Sequence, residues 1–247
     1  MNEDYILVIP ARLESTRLPK KLLINIEGKT ILERTYINAL NAVGDKDKII
    51  IATDSKIIEE HCNSFGANSI ITSNKCLTGT DRIAEVAEKI SASQYINLQG
   101  DEPLFPSDQL QIFINKVTKD NSHVYTAITS INNEEDFRNY SIPKMVFSKS
   151  KKLLYSSRAP IPGNKKNIFL NSFKHICVYA FNKTHLECFK NEKEKTKFEF
   201  IEDLEINRFL ELDIQVKCVD LAFGGKAVDT ENDLNKVINI IKTNINS

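Results

Sequence analysis

Short apolar runs of strand length, each followed by residues at helical spacing, constrain this chain more than any other feature. Residues 5–9 form a continuous apolar run, the pattern of a strand covered on both faces. Ile31, Tyr36, Ala39, Leu40 and Val43 then recur at helical spacing, and Gly44 suits a helix end. Residues 49–53 predict the next strand, with Asp54 or Ser55 capping a helix to about Phe65. A short strand over 69–72, a capped amphipathic helix over 78–90 and a strand over 95–98 continue the alternation. Pro106, placed at a first helical position, opens a helix to Val117. This repetition predicts an α/β fold with a mostly parallel, doubly wound sheet, its loops gathered at the C-terminal strand ends.

The second half is less regular. Residues 124–131, 144–147 and 175–181 read as strands, and 163–171 as a polar, mobile loop. Residues 200–212 predict one helix with acidic residues at its start, 215–221 a strand, and 230–245 a closing helix. With no repeat and no low-complexity linker, the chain reads as one domain over 1–247 with a small inserted substrate subdomain.

Composition narrows the function. The chain has 247 residues and a formal net charge of zero, which argues against a nucleic-acid binder working through a broad basic face. No apolar run is long enough to span a bilayer and residues 1–4 open no signal peptide, so a soluble, cytoplasmic protein is expected. Five scattered cysteines without a C-x-x-C pair read as core thiols, and the four histidines form no zinc motif.

Against that neutral background, the loop after the first strand is strongly cationic. Arg12, Arg17, Lys20 and Lys21 against Glu14 leave a local charge of +3. Alone this is a solvated basic turn; at the end of the first strand of an α/β pattern it is also what a triphosphate needs. Two further features fall at the same predicted edge. Gln99-Gly100-Asp101-Glu102-Pro103 ends a strand in a glycine followed by acid, which projects Asp101 into the crevice, where a carboxylate can hold Mg²⁺. Asp229 precedes the last helix, where Asp229 or Thr230 is also a natural N-cap. No Walker A loop and no G-x-G-x-x-G is present, which leaves P-loop and dinucleotide-binding readings weak.

With these residues in place, the chain resembles the CMP-Kdo synthetases, the 3-deoxy-manno-octulosonate cytidylyltransferases. The likeness runs through IPARLESTRLPKKLL at 9–23, ATD at 52–54, TGTDR at 78–82, LQGDEP at 98–103, SSRAPIP at 156–162, HICVY at 175–179 and VDTENDL at 228–234. It implies a three-layer α/β/α nucleotidyltransferase, a homodimer meeting through the second half. Residues 1–120 would form the nucleotide-binding half, about 121–225 the sugar-binding and dimerisation half, and 226–247 the C-terminal helix. The implied reaction joins CTP to 3-deoxy-manno-octulosonate (Kdo), with Mg²⁺, for lipopolysaccharide synthesis; the anomeric 2-hydroxyl attacks the α-phosphorus and pyrophosphate leaves.

The resemblance also implies roles. Arg12, Arg17 and Lys21 fall on the triphosphate loop, and Ala11, Thr78, Thr80, Arg82 and Gln99 on the wall that holds the nucleotide. Asp101 and Asp229 match the metal pair. Gln99, Arg158, His175, Tyr179 and Glu205 line the sugar pocket, where Arg158 suits a bidentate grip on the sugar carboxylate. Taken alone, His175 and Tyr179 read as core residues, Glu205 as part of a solvated acidic face, and Arg82 as a surface cap or ion pair. The chain departs from the family at Ser156, at Lys197-Phe198-Glu199, and at Ile206 and Asn207, where the family has Gln and Leu. These departures leave nucleotidyl transfer intact and bear on the sugar, so an amino-substituted Kdo and a catalytically silent nucleotide-binding protein stand as alternatives.

Overall fold

The computed structural model describes residues 4–15 and 17–245. Thr16 of the basic loop and residues 1–3, on which the signal-peptide reading partly rests, lie outside the described residues. The elements in chain order are β1 (Tyr5–Ala11), a small hairpin of β2 (Asn25–Ile26) and β3 (Lys29–Thr30), α1 (Ile31–Val43), β4 (Ile49–Thr53), α2 (Lys56–Ser64), β5 (Ser69–Ile71) and α3 (Gly79–Lys89). Then follow β6 (Gln94–Leu98), α4 (Ser107–Val117), β7 (Val124–Ile131), α5 (Glu134–Arg138), β8 (Lys144–Phe147), β9 (Leu153–Ser157) and β10 (Ser172–Phe181). The chain closes through α6 (Lys183–Asn191), α7 (Lys197–Glu202), α8 (Ile206–Glu211), β11 (Val216–Asp220) and α9 (Glu231–Ile245).

Among the described residues one mixed sheet runs β11-β7-β10-β6-β1-β4-β5, with β8 pairing to β10 and β9 pairing to β8. The nucleotide-side pairs β6–β1, β1–β4 and β4–β5 are parallel, as expected. β10 enters antiparallel between β6 and β7, and β8 and β9 extend it as an antiparallel ribbon. β1 sits at the point where the strand order reverses, β4 lying to one side and β6 to the other. In such sheets the crevice forms outside the carboxyl ends of the strands at this point. The adjacency of β1 and β6, with Val8 opposite Asn97, therefore delivers the basic loop and Asp101 to one place.

Period-two alternation along the strands divides the core between two faces. Leu7, Ile9, Ile96 and Leu98 pack against α1, α2, α4 and α9. Val8, Ile50, Tyr95, Tyr179 and Phe181 pack against α3, α6 and α8. This is the expected three-layer sandwich.

Three local expectations need correction. Pro106 is the N-cap of α4, one residue before the helix it opens. The expected single helix over 200–212 is two: α7 starts earlier, at Lys197, on a capping box of Thr196 and Glu199, and stops where Asp203 turns left-handed at φ 51°. Glu205 then stands at the N-cap position of α8, with its side chain turned elsewhere. Phe200 and Ile201 are exposed, so no continuous apolar stripe spans the junction to hold one straight helix. Third, the cysteines are free, but only Cys62 and Cys218 are buried; Cys188 is exposed.

Candidate active site

The basic loop leaves β1 at Ala11, itself buried, and ends in a single 3₁₀ turn over Lys21–Leu23, pinned by the buried Leu22. That anchor brings Lys21 inward while Arg12 and Arg17 stay exposed. Gly100 makes the opposite turn possible. A Cβ there would stand 2.8 Å from the carbonyl oxygen of Pro10, so any other residue would push β6 away from β1. Asp101 follows at once. The backbone amide of Val228 donates to the carbonyl of Asp101 at 3.0 Å, and Val228 is fully buried, so the segment before α9 is stitched to the end of β6. Asp229 is thereby carried beside Asp101.

The two acids meet on one cation. Lys21 Nζ donates to Asp101 Oδ2 at 2.5 Å, to Asp229 Oδ1 at 3.0 Å and to the carbonyl of Val228 at 2.9 Å. Arg17 lies 4.0 Å from the other Asp229 oxygen. Burial works against the Lys21 charge, but the two carboxylates outweigh it and hold its pKa above the ordinary value. The competing role for Asp229 is filled by its neighbour. Thr230 accepts from the Asp233 amide and so caps α9, which leaves Asp229 free for the crevice.

Glu102, next to Asp101, turns the other way into the protein. It is 7% exposed, Gly225 packs on its Oε2, and burial, followed by the Asp101 charge, pushes its carboxyl up to about 8. The acid pair in the DEP sequence thus divides into one crevice carboxylate and one buried acid whose charged form the interior disfavours.

The N-terminus of α3 forms a second wall. Thr78 and Asp81 close a capping box. The Thr80 amide donates to Glu205 Oε2 at 3.2 Å, and Gln99 Nε2 donates to Glu205 Oε1 at 3.2 Å. Glu205 is therefore no solvated face residue: burial raises its pKa, opposed by the hydrogen bond from the Thr80 amide. Arg82 is buried too and donates to Asp54 Oδ2 at 2.8 Å and to Thr72 and Ser73, tying the ATD segment to α3. Its guanidinium is committed inside the protein rather than presented to the crevice.

On the sugar side, Arg158 follows β9. Its Nε donates to the Glu202 carbonyl at 2.7 Å, and its terminal nitrogens to the carbonyls of Asp203 and Tyr140. Those contacts fix the plane of the guanidinium and leave further donors for a carboxylate. Lys144 stands behind it, wholly buried, donating to the carbonyls of Arg158 and Asn139 at 2.8 Å each. Burial and then the Arg158 charge lower Lys144 to about 8. His175 is 2% exposed, its Nε2 3.0 Å from Thr126 Oγ1, and its ring edge-on to Tyr179 at 5.6 Å. Burial, then Arg158, lower its pKa to about 3, so the imidazole is neutral. Tyr179 is buried opposite Asn97, and burial raises its pKa well above the usual phenol value.

Beneath this wall lies an ionic cluster that the sequence did not announce. Arg208, fully buried, makes two 2.6 Å bonds to Glu199 and one of 3.2 Å to Asp81, with its guanidinium 3.7 Å over the Phe189 ring. The one available signal was Asp81 at the third helical position after Thr78, a capping pattern. Nothing in the periodicity marks Arg208 or Glu199 as interior. No group of three or more His, Cys, Asp or Glu side chains able to hold a metal occurs among the described residues, so the side chains alone do not complete the shell of an ion here.

A mixed sheet with a cationic loop and an acid pair at the carboxyl ends of its strands is the arrangement of a nucleotidyltransferase. A family model for cytidylyltransferases matches residues 6–216. The 3-deoxy-manno-octulosonate cytidylyltransferase of Protochlamydia amoebophila is 38% identical, over 96% of this chain and 94% of its own. That of Elusimicrobium minutum is 37% identical, over 98% and 99%. The solved structure of a CMP:2-keto-3-deoxy-manno-octonic acid synthetase complexed with CTP superposes with a TM-score of 0.89 at 32% identity, covering 98% of this chain and 99% of that one. The inositol-1-phosphate CTP transferase of T. maritima, at 14% identity and TM-score 0.70, shares the fold. The chain belongs to the 3-deoxy-manno-octulosonate cytidylyltransferase family, the CMP-Kdo synthetases.

Proposed function

We propose that this enzyme transfers CMP from CTP to the anomeric 2-hydroxyl of Kdo, forming the new oxygen–phosphorus bond at the α-phosphorus as pyrophosphate leaves. The observation that carries the reading is the meeting of Asp101 and Asp229 on the Lys21 ammonium, because it brings two distant carboxylates within reach of one cation. Their oxygens fit the hard-cation preference of Mg²⁺, which keeps sites open for phosphate oxygens and water. Asp101 and Asp229 would hold that ion, which supplies charge neutralisation on the triphosphate when bound.

The chain's own residues do the rest. Arg12, Arg17 and Lys21 neutralise and orient the phosphates, which places positive charge where negative charge develops. The α3 N-terminus, with Thr78, Thr80, Gln99 and the backbone at Ala11, walls the cytidine side. Arg158, locked by backbone carbonyls, engages the sugar carboxylate, while His175, Tyr179 and Glu205 set the acceptor's orientation. We place the enzyme in the cytoplasm, where CTP is found; among the described residues no helix is long and apolar enough to cross a membrane.

We also propose a homodimer through the second half of the chain, where Leu154, Phe198, Phe200 and Ile201 expose apolar side chains on β9 and α7. The test is pyrophosphate release from CTP and Mg²⁺ across a panel of sugar acids, on protein whose mass is read by light scattering. Release with Kdo, from a species of twice the 28.1 kDa chain mass, is expected. Release with only an amino-substituted relative rejects Kdo as the substrate, and a species of chain mass rejects the dimer.

A further inference from the structure

Folding a polar side chain into the interior without a partner is costly, and each such group asks for a reason. On β6 two such side chains, Gln94 and Asn97, have both polar atoms unpartnered; Gln94 stands at the start of the strand, and Asn97 near its carboxyl end, toward the site. Asn97 is fully buried, and neither Oδ1 nor Nδ2 has a hydrogen-bond partner among the described residues. Its position is informative. Asn97 lies two residues before Gln99, so both side chains stand on the same sheet face, and Gln99 is bonded to Glu205. Across the sheet Asn97 is in register with Tyr179, whose ring meets that of His175.

Further unpartnered atoms gather round the same residues. Thr80 Oγ1, His175 Nδ1 and Asn207 Oδ1 are all buried and unsatisfied. Thr80 is held to Glu205 through its backbone amide, His175 touches Tyr179, and Asn207 follows Glu205 by two residues and is anchored through Nδ2 to the Ser156 carbonyl at 3.0 Å. Among the described residues, four of the six that carry such atoms (Thr80, Asn97, His175 and Asn207) therefore neighbour Tyr179 or Glu205; the other two are Gln94, at the start of β6, and Glu102.

The chemistry of these groups names what they face. Carboxamide, hydroxyl and a neutral imidazole carry no net charge, and together they offer both donors and acceptors. They suit hydroxyl groups, which donate and accept, rather than phosphate or carboxylate, which only accept. Resting on the sugar-acid reading of the site, we propose that Asn97 is a specificity-determining residue that hydrogen-bonds a hydroxyl of the acceptor, deeper in the pocket than Gln99.

The test compares wild type with Asn97→Leu, an apolar side chain of similar shape, using the sugar acid that wild type turns over best. The expected result is an acceptor KM raised about tenfold or more, a CTP KM within about twofold of wild type, and a Tm equal to or above wild type. Mono-deoxygenated acceptors add a readout that a merely structural role would not move. For one analogue, lacking the hydroxyl that Asn97 contacts, wild type and variant should converge. An unchanged acceptor KM overturns the proposal, as does a loss of equal size with every analogue. Asn97→Ser, which keeps a polar atom in less volume, covers the case in which the leucine variant does not fold; if neither folds, the amide is structural and the proposal is wrong. Absence of turnover by wild type with any sugar acid removes the reading of the preceding subsection and this inference with it. Wild-type turnover with an unchanged variant removes this inference alone.

Discussion

At the scale of single residues, environment assigns each group its state. Asp101 and Glu102 are adjacent acids with opposite fates, one facing a lysine in the crevice and the other buried against Gly225. His175 shows the same control with a measurable sign. Its pKa falls from 6.5 when unfolded to about 3 when folded, because burial and Arg158 both penalise the imidazolium. Between those values the unfolded chain binds a proton that the folded one refuses. Stability contributed by keeping His175 neutral is full above about pH 6.5 and is lost as pH falls toward 3. From pH 7 to pH 4 wild type should lose roughly 3 kcal/mol more unfolding free energy than His175→Gln, as read by urea denaturation. Parallel losses in the two proteins would contradict the burial of a neutral imidazole.

At the scale of elements, the regular half was legible, and so were β7, β8, β10, β11 and α9 of the second half, whereas β9 and the division of α7 from α8 were not. β4 and α1 fall where apolar runs and helical spacing put them, because local pattern and tertiary burial agree there. The break between α7 and α8 was hidden. It depends on a left-handed Asp203 and on Arg208 reaching Glu199 and Asp81 across elements, and neither leaves a periodic trace. The basic loop and the Gly-Asp turn were readable as motifs, but the Asp101–Val228 backbone bond that joins the two acids is a long-range contact beyond any local pattern. Arg208 is charged because both partners, with the Phe189 ring and carbonyl, repay its burial; Glu199 and Asp81 outweigh the desolvation and raise its pKa. Arg208→Met should therefore cost about 3–5 kcal/mol, since it leaves two acids buried without a cation. The same experiment on Arg208→Met with Glu199→Gln and Asp81→Asn should recover part of that loss. A cost below about 1 kcal/mol for the single variant would show that the buried ion cluster of Asp81, Glu199 and Arg208 does not hold α3, α7 and α8 together.

At the scale of the molecule, a neutral chain brings a cationic loop and two acids to one edge of one sheet. Parallel β6, β1 and β4 point their carboxyl ends at the crevice, the antiparallel β10 carries His175 and Tyr179 to the same region, and the segment before α9 returns the last acid to it. The central claim is that Asp101 and Asp229, far apart in sequence, serve one divalent ion. Binding of Mn²⁺ to the protein in the presence of CTP, followed by electron paramagnetic resonance, tests this directly on wild type, Asp101→Asn, Asp229→Asn and the double variant. Each single variant should weaken the protein-dependent Mn²⁺ signal by about tenfold or more, and the double variant should add much less than the product of the two, because the carboxylates share the ion. Independent, multiplicative losses, or a loss confined to one of the two acids, would mean that they do not hold a common metal.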